Sequence, residues 1–246
     1  MERIAIISDI HGNVPALEAV LKDIRQRDIG RIFCLGDLVG KGPHPDRTVD
    51  TIRGSCEAVV QGNWDEFITE QTEKPELRWH RNRLGEERLS YLKGLPFSLE
   101  FWCSGKFIRL FHASPESVYK RVQPWHPLEL RLSMFDNTEQ TGTPAHGARP
   151  HVVGYGDVHN AYVQHFPGKM LFNAGSVGNP LDITQASYAI IEGDYGSQEA
   201  GPFGLTLARV PYDIEAAIRM AAAEKMPYLN EYAKELRTGR YRGLPD

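Results

Sequence analysis

Five short polar groups in this 246-residue chain stand where an apolar run gives out: Ser8-Asp9-Ile10-His11, Gly36-Asp37, Gly62-Asn63, His112 and Gly156-Asp157-Val158-His159. Their side chains offer carboxylate, amide and imidazole donors and no thiolate, a set that suits divalent Mn, Fe, Co, Ni or Zn. Taken singly, each group reads equally well as local structure, because Asp, Asn and Gly are the residues of turns and caps. Together they recur in order, each just past a strand. In open α/β sheets ligands bind beyond the carboxyl ends of the strands, so residues scattered through the chain can converge there.

The elements that must position them are legible in the apolar pattern. RIAIIS (3–8), RIFCL (31–35) and EAVVQ (57–61) are short buried-type runs that predict strands. Leu17, Val20, Leu21 and Ile24 recur at helical spacing after Asn13, a plausible N-cap, and that helix ends near Arg27. A second helix suits residues 45–53. The first third therefore reads strand, helix, strand, helix, strand, the rhythm of a parallel α/β layer. The middle predicts a short helix over 86–93 and a hairpin of strands 97–102 and 107–111 about Ser104-Gly105-Lys106. Residues 137–150 are polar and rich in Gly and Pro, a loop that could act as a lid or as a plain connector. Strands follow at 151–153, 162–166, 170–172, 187–191 and 205–209, and their short spacing predicts a second, mixed or antiparallel sheet packed on the first. The tail from Ile214 to Leu236 is helical and Ala-rich. No composition break marks a boundary, so one domain over 1–246 is expected, its C-terminal helical tail covering about 212–240.

The polar groups match an ordered motif set: Asp9-Ile10-His11, Gly36-Asp37, Gly62-Asn63-Trp64-Asp65, His112 and Gly156-Asp157-Val158-His159. In this the chain resembles the calcineurin-like metallophosphoesterases, and the text around Gly36 (GDLVGKGPHP) and Asn173 (NAGSVGNPLD) resembles their small bacterial phosphodiesterase-like branch. The likeness covers roughly residues 1 to 210. It implies a four-layer α/β/β/α sandwich with two mixed β-sheets. It also implies ligand roles: Asp9, His11 and His159 on one metal, Asn63 and His112 on a second, and Asp37 bridging. Catalysis is then carried by Asp37, Asn63 and His112 around two divalent ions. Two such ions about 3.5–4 Å apart can clamp a phosphate and generate a bridging hydroxide for in-line attack. The helix after Gly12 would aim its N-terminus at the site, which favours anions.

Two positions depart from the family pattern. Asp157 stands where Gly-His-x-His carries its first histidine, and as a carboxylate ligand it would harden the site toward Mn²⁺. The alternative is that Asp157 points away and leaves the second site weak. Trp64 stands where many relatives carry a histidine that protonates the leaving group, and an indole N–H only donates a hydrogen bond. Trp64 could stack on a base or aryl group or simply pack at the rim. The cluster RWHRNR (78–83) could clamp a phosphate or form a solvated face, and His44, between two prolines, could supply an acid or sit in a surface turn. Ser176 has no evident base partner and is not expected to be a nucleophile.

Composition narrows the classes further. The chain is 41% hydrophobic and 24% charged, ordinary for a globular protein, and its net charge of -4 offers no basic excess for bulk nucleic-acid binding. Cys34, Cys56 and Cys103 lie far apart and form no metal or disulfide pattern, which suits free thiols in a reducing cytoplasm. No stretch approaches the 18 apolar residues of a membrane span, and MERIAIISD enters a strand with no signal-peptide h-region. The expected activity is hydrolysis of phosphodiester or nucleotide-type phosphoanhydride bonds in a small phosphorylated substrate, a nucleotide among the candidates. Mn is the foremost metal, with Fe, Zn, Ni or Co as alternatives. A phosphomonoesterase or protein phosphatase is one rival, a catalytically weakened metal-binding sensor or scaffold another; the oligomeric state is left open.

Overall fold

A strand enclosed by other layers on both faces must be apolar at every position, and Glu2–Ile7 (β1) meets that condition from Ile4 onward. Its side chains alternate: Ala5 and Ile7 enter the core beneath the helices, Ile4 and Ile6 the core between two sheets. The computed structural model of the protein describes residues 1–144 and 147–244. The 137–150 loop, with its expected lid or connector role, therefore lies partly outside the described residues.

Helix α1 (Val14–Gln26) starts as its sequence predicts, with the Asn13 side chain accepting the Ala16 N–H at 3.2 Å. It leads to β2 (Arg31–Cys34), which runs parallel to β1 with Ile7 opposite Cys34. Helix α2 (Pro45–Ser55) leads to β3 (Ala58–Val59), parallel to β2 but only two residues long. A five-residue helix α3 (Asn63–Phe67) follows at once; one and a half turns is too short to reveal a period in sequence. Helix α4 spans Pro75–Lys93, far longer than the expected 86–93, and is interrupted at Gly85 (φ 70°). Its first half escaped the pattern because only His80 and Leu84 are buried there, among charges.

The second sheet begins with the expected hairpin, β4 (Ser98–Cys103) and β5 (Lys106–Phe111), turned at Ser104 (φ 46°) and Gly105 (φ 76°). After α5 (Leu128–Leu132) come β6 (Val152–Tyr155), β7 (Tyr162–Phe166) and β8 (Lys169–Asn173), giving the order β4-β5-β6-β8-β7 with β5, β6 and β8 parallel. The next two strands correct the sequence reading, which put all the later strands in one sheet. Strands β9 (Ala186–Gly193) and β10 (Gly204–Val210) cross back to complete the first sheet, in the order β10-β9-β1-β2-β3. Strand β9 is buried along nearly its whole length, so it belongs beside β1 in the middle of the stack.

Ile108, Leu110, Phe172 and Phe33 fill the space between the sheets. Helices α1, α2 and α4 cover the first sheet, while the segment around Val122, Met134 and Phe135 covers the second. This is the four-layer α/β arrangement with two mixed sheets. The tail is two helices, α6 (Ile214–Ala223) and α7 (Leu229–Thr238), parted by left-handed Lys225 and Tyr228 around Pro227. No helix among the described residues is long and apolar enough to cross a membrane.

Candidate metal centre

The polar groups all lie at the carboxyl ends of strands, and the loops carrying them are bent hard. Asp9, His11, Asp37, Asp157 and His159 all have φ between 48° and 62°. A residue with a Cβ rarely adopts that left-handed conformation, which costs on the order of 1–2 kcal/mol each. The bends survive because the loops are laced together. Asp9 N–H donates to Gly36 O at 3.0 Å, His11 N–H to Asp37 O at 2.9 Å, and Gly156 N–H to His112 O at 2.8 Å. The loop 174–185 that carries the chain back to the first sheet closes the ring, with Gly178 N–H on Asp9 O at 2.9 Å. Two glycines permit this approach: a Cβ on Gly62 would stand 2.2 Å from Asp37 Oδ1, and one on Gly156 2.1 Å from Ser8 Oγ.

Two groups of donor atoms result, Asp9 with His11 and His159, and Asp9 with Asp37 and His112; in each the atoms lie within 4.8 Å of one another. His159 Nε2 is 3.1 Å from Asp9 Oδ1 and 3.2 Å from His11 Nε2. Asp37 connects the groups, its Oδ2 3.5 Å from His11 Nε2 and its Oδ1 3.5 Å from His112 Nε2. Asn63 Oδ1 approaches His112 Nε2 at 3.2 Å. All three imidazoles donate Nδ1–H to a backbone carbonyl: His11 to Val39 (2.9 Å), His112 to Leu35 (2.7 Å) and His159 to Asn179 (2.6 Å). That fixes the tautomer and turns each Nε2 lone pair toward the centre, as metal-binding histidines require.

The electrostatics fit a cation. Asp9 Oδ1 is buried without any hydrogen-bond partner, and an orphaned carboxylate oxygen is costly unless a positive charge meets it. Burial works against charge on Asp9, yet His159, His112 and His11 together hold its carboxyl well below the usual range. Burial also opposes charge on His112, but Asp37, Asp9 and Asp157 raise it to about 9. Asp37 is pushed up by burial and His11 down by the same cause. A divalent ion in place of His112's proton would satisfy all of these groups.

Asp157 stands next to these donor groups. Its backbone N–H donates to Asp9 Oδ2 at 3.1 Å, while both carboxylate oxygens accept from Arg121: Nε to Oδ2 at 2.9 Å and Nη2 to Oδ1 at 2.8 Å. The expectation of Asp157 as a ligand thus meets a carboxylate already engaged in a bidentate pair. Arg121, in the unremarkable stretch VYKRVQ, gave no signal in sequence. Asp65, the last residue of the Gly62-Asn63-Trp64-Asp65 motif, anchors the backbone of the centre. Fully buried, it accepts Asp37 N–H (2.7 Å), Leu38 N–H (2.9 Å) and Gly62 N–H (3.0 Å). Its position three residues after Gly62 was the available clue, the spacing of a capping box.

The other residues singled out in the sequence have structural partners. Trp64 lies across Gly40, 4.8 Å from Phe67 and edge-on to His11 at 6.0 Å, so it packs at the rim and also walls the cleft. Arg81 caps Ile68 and Thr69 carbonyls, and Arg83 stacks on Trp79 of its own helix and donates to Glu224 Oε2 at 3.2 Å, so RWHRNR ties α4 to the ends of α3 and α6. His44 is the N-cap residue of α2 and lines neither lobe of the cleft. Ser176 Oγ donates to Asp9 O and accepts Asn179 N–H, a loop-holding role.

Beside the centre opens a cleft of ≈ 620 Å³ walled by Lys41, Trp64, Phe67, Arg121 and Tyr228. A smaller lobe of ≈ 290 Å³ reaches Asp157 and His159 and shares Lys41, Arg121 and Tyr241 with the first. The segment at Arg242 is fastened here by Glu235, whose buried carboxylate accepts from Arg242 Nε (2.8 Å), Arg242 Nη2 (2.7 Å) and Asn179 Nδ2 (3.2 Å). Burial resists that charge, but Arg242 and Lys41 outweigh it and bring Glu235 from 4.5 to about 2. A lowered carboxyl stabilises the fold above pH 4.5 and loses that contribution as pH falls from 4.5 toward 2, about 3 kcal/mol in all. Thermal melts between pH 7 and pH 2 are expected to show Glu235→Gln converging on wild type in acid. Curves that stay parallel over that range would refute the assignment.

Residues 2–196 match the calcineurin-like phosphoesterase superfamily domain. The chain is 32% identical over 242 residues to the uncharacterized protein MJ0912 of Methanocaldococcus jannaschii, covering 91% of this chain and 93% of that one. Among solved structures it is similar to a metallophosphoesterase from Sphaerobacter thermophilus (27% identity, TM-score 0.76, 96% of this chain and 99% of the other). It shares its fold with the hypothetical protein PH1004 from Pyrococcus horikoshii OT3 (19% identity, TM-score 0.77, 100% of both chains).

Proposed function

Because the chain belongs to the calcineurin-like phosphoesterase superfamily, we propose that it is a metal-dependent hydrolase of phosphodiester or nucleotide-type phosphoanhydride bonds. The observation that carries this reading is the convergence of two buried carboxylates with three imidazoles whose Nε2 atoms face inward. Asp9, His11 and His159 would hold one divalent ion; Asp37, His112 and Asn63 would hold a second, Asp9 and Asp37 lying between the two. Such ions supply positive charge for the phosphoryl oxygens and acidify a water molecule. The chain's own part is to fix the ligands by backbone hydrogen bonds and to keep the histidines in the Nε2-accepting tautomer. Lys41 and Arg121 carry positive charge in the cleft, and Trp64, Phe67 and Tyr228 offer faces on which a base can stack. With oxygen donors from Asp9, Asp37 and Asn63, Mn²⁺ is the ion to try first.

Metal analysis of the purified protein, joined to a screen of mono-, di- and pyrophosphate esters with Mn²⁺, tests the reading. Bound metal with turnover of diesters or anhydrides supports it; a protein that binds no metal and turns over no ester refutes it. Metal and phosphate binding without turnover would favour a sensor or scaffold, the reading suggested by Trp64 in place of an acid. Since no proton donor stands at Trp64, kcat/KM is expected to depend steeply on leaving-group pKa. General acid catalysis is worth about 10²–10⁴-fold and its absence weighs most on alkyl esters. A series of substituted phenyl and alkyl phosphodiesters measures the slope; a flat series would mean that another residue delivers the proton.

A further inference from the structure

Among the described residues, Arg121 is the one cation that both lobes of the cleft share and that is forked onto a residue of the metal-site loops. A guanidinium has five N–H donors in one plane. Asp157 occupies Nε and Nη2 at 2.9 and 2.8 Å, so Nη1 and the outer edge of the plane are left over. The Arg121 side chain is 50% exposed, while that of Asp157 is 3% exposed: a buried carboxylate holds an open cation at the mouth of the site. The pair sits next to the centre, since the Asp157 backbone N–H bonds Asp9 Oδ2 at 3.1 Å. An arginine held by one carboxylate at its inner edge presents a fixed, charge-assisted fork to a second anion at its outer edge.

We propose that Arg121 is an anion clamp for a non-bridging phosphoryl oxygen of the substrate, and that Asp157 is its positioning residue rather than a metal ligand. This rests on the phosphoesterase reading above. It assigns the carboxylate at 157 a purpose that a histidine there could not serve, because an imidazole has no pair of acceptor atoms to set against the guanidinium fork. Asp157 is left-handed (φ 62°), a conformation asparagine tolerates well, so Asp157→Asn removes the fork and leaves the backbone bond to Asp9 in place.

The test is calorimetric binding of inorganic phosphate to the Mn²⁺-loaded protein, with metal content measured on the same samples. Arg121→Ala is expected to weaken phosphate binding by about ten- to a hundredfold, the worth of a hydrogen bond to a charged group. Asp157→Asn should weaken it by a similar factor with its metal content unchanged. The double variant should be no weaker than Arg121→Ala, since the two residues act as one unit. Arg121→Lys keeps the charge but not the fork and should recover only part of the loss. The proposal is overturned if Arg121→Ala binds phosphate like wild type, or if Asp157→Asn loses metal. Failure of the underlying reading would look different: wild-type protein itself would bind neither Mn²⁺ nor phosphate.

Discussion

Asp37→Ala is expected to retain less than about one-thousandth of wild-type kcat/KM on any phosphoester the protein hydrolyses. Its two oxygens face His11 in one donor group and His112 in the other, so its loss weakens both halves of the centre. Charge stabilisation of roughly 4 kcal/mol corresponds to a thousandfold in rate, and two weakened donor groups put at least that much at risk. Metal content should fall in parallel. Asp9→Ala is the matched comparison, because Asp9 takes part in both groups, and its loss should be comparable. Asp37→Asn separates chemistry from folding. Burial makes charge the costly form of this side chain, so the amide variant, which can still accept Trp64 N–H through its oxygen, should melt no lower than wild type in the presence of chelator. Turnover near the wild-type level with full metal content in Asp37→Ala would sink the assignment.

The largest loss of stability is expected at a residue that touches no substrate. Asp65→Ala strands the backbone N–H groups of Asp37, Leu38 and Gly62, all of which the carboxylate accepts from within the core. An unsatisfied buried donor costs about 1–3 kcal/mol, so three together come to roughly 4 kcal/mol or more. For a chain of this length each kcal/mol moves the melting temperature by about 2–4 °C, which puts the expected drop near 10 °C or beyond. Asp65→Asn should fail to restore it, because an amide nitrogen cannot accept the bonds one oxygen now takes. Thermal melts followed by circular dichroism decide the matter; a fall smaller than about 2 °C would show that the loop holds itself.

The structure separates what the chain reveals locally from what it does not. The ends of β1, β2 and β5 were legible because each is an apolar run that stops abruptly at a polar residue, whereas β6, expected over 151–153, runs on through Gly154 to Tyr155. Asn13 was legible because a cap acts within three residues of itself. The sheet to which β9 belongs was not, since an apolar run has the same pattern in either sheet, and only the crossing of loop 174–185 decides between them. Arg121 was hidden for a related reason. Its partner lies 36 residues away, and nothing in VYKRVQ distinguishes it from a surface arginine. Asp65 was legible as the last position of Gly62-Asn63-Trp64-Asp65, but two of the N–H groups it accepts belong to residues 28 and 27 positions earlier in the chain.

Asp9 and His159 are 150 residues apart in the chain and 3.1 Å apart in space, with Asp37 and His112 contributed from between them. No fragment of the chain holds that set, and the unfolded chain has nothing comparable to offer a cation. Whatever ion the centre takes is then bound by the native state alone, and its free concentration enters the folding equilibrium directly. At a hundred times the dissociation constant the native state gains about 2.7 kcal/mol, a substantial share of what a domain of this kind commands. The robustness of this protein is accordingly not a property of its residues alone but is shared with the ionic composition of its surroundings.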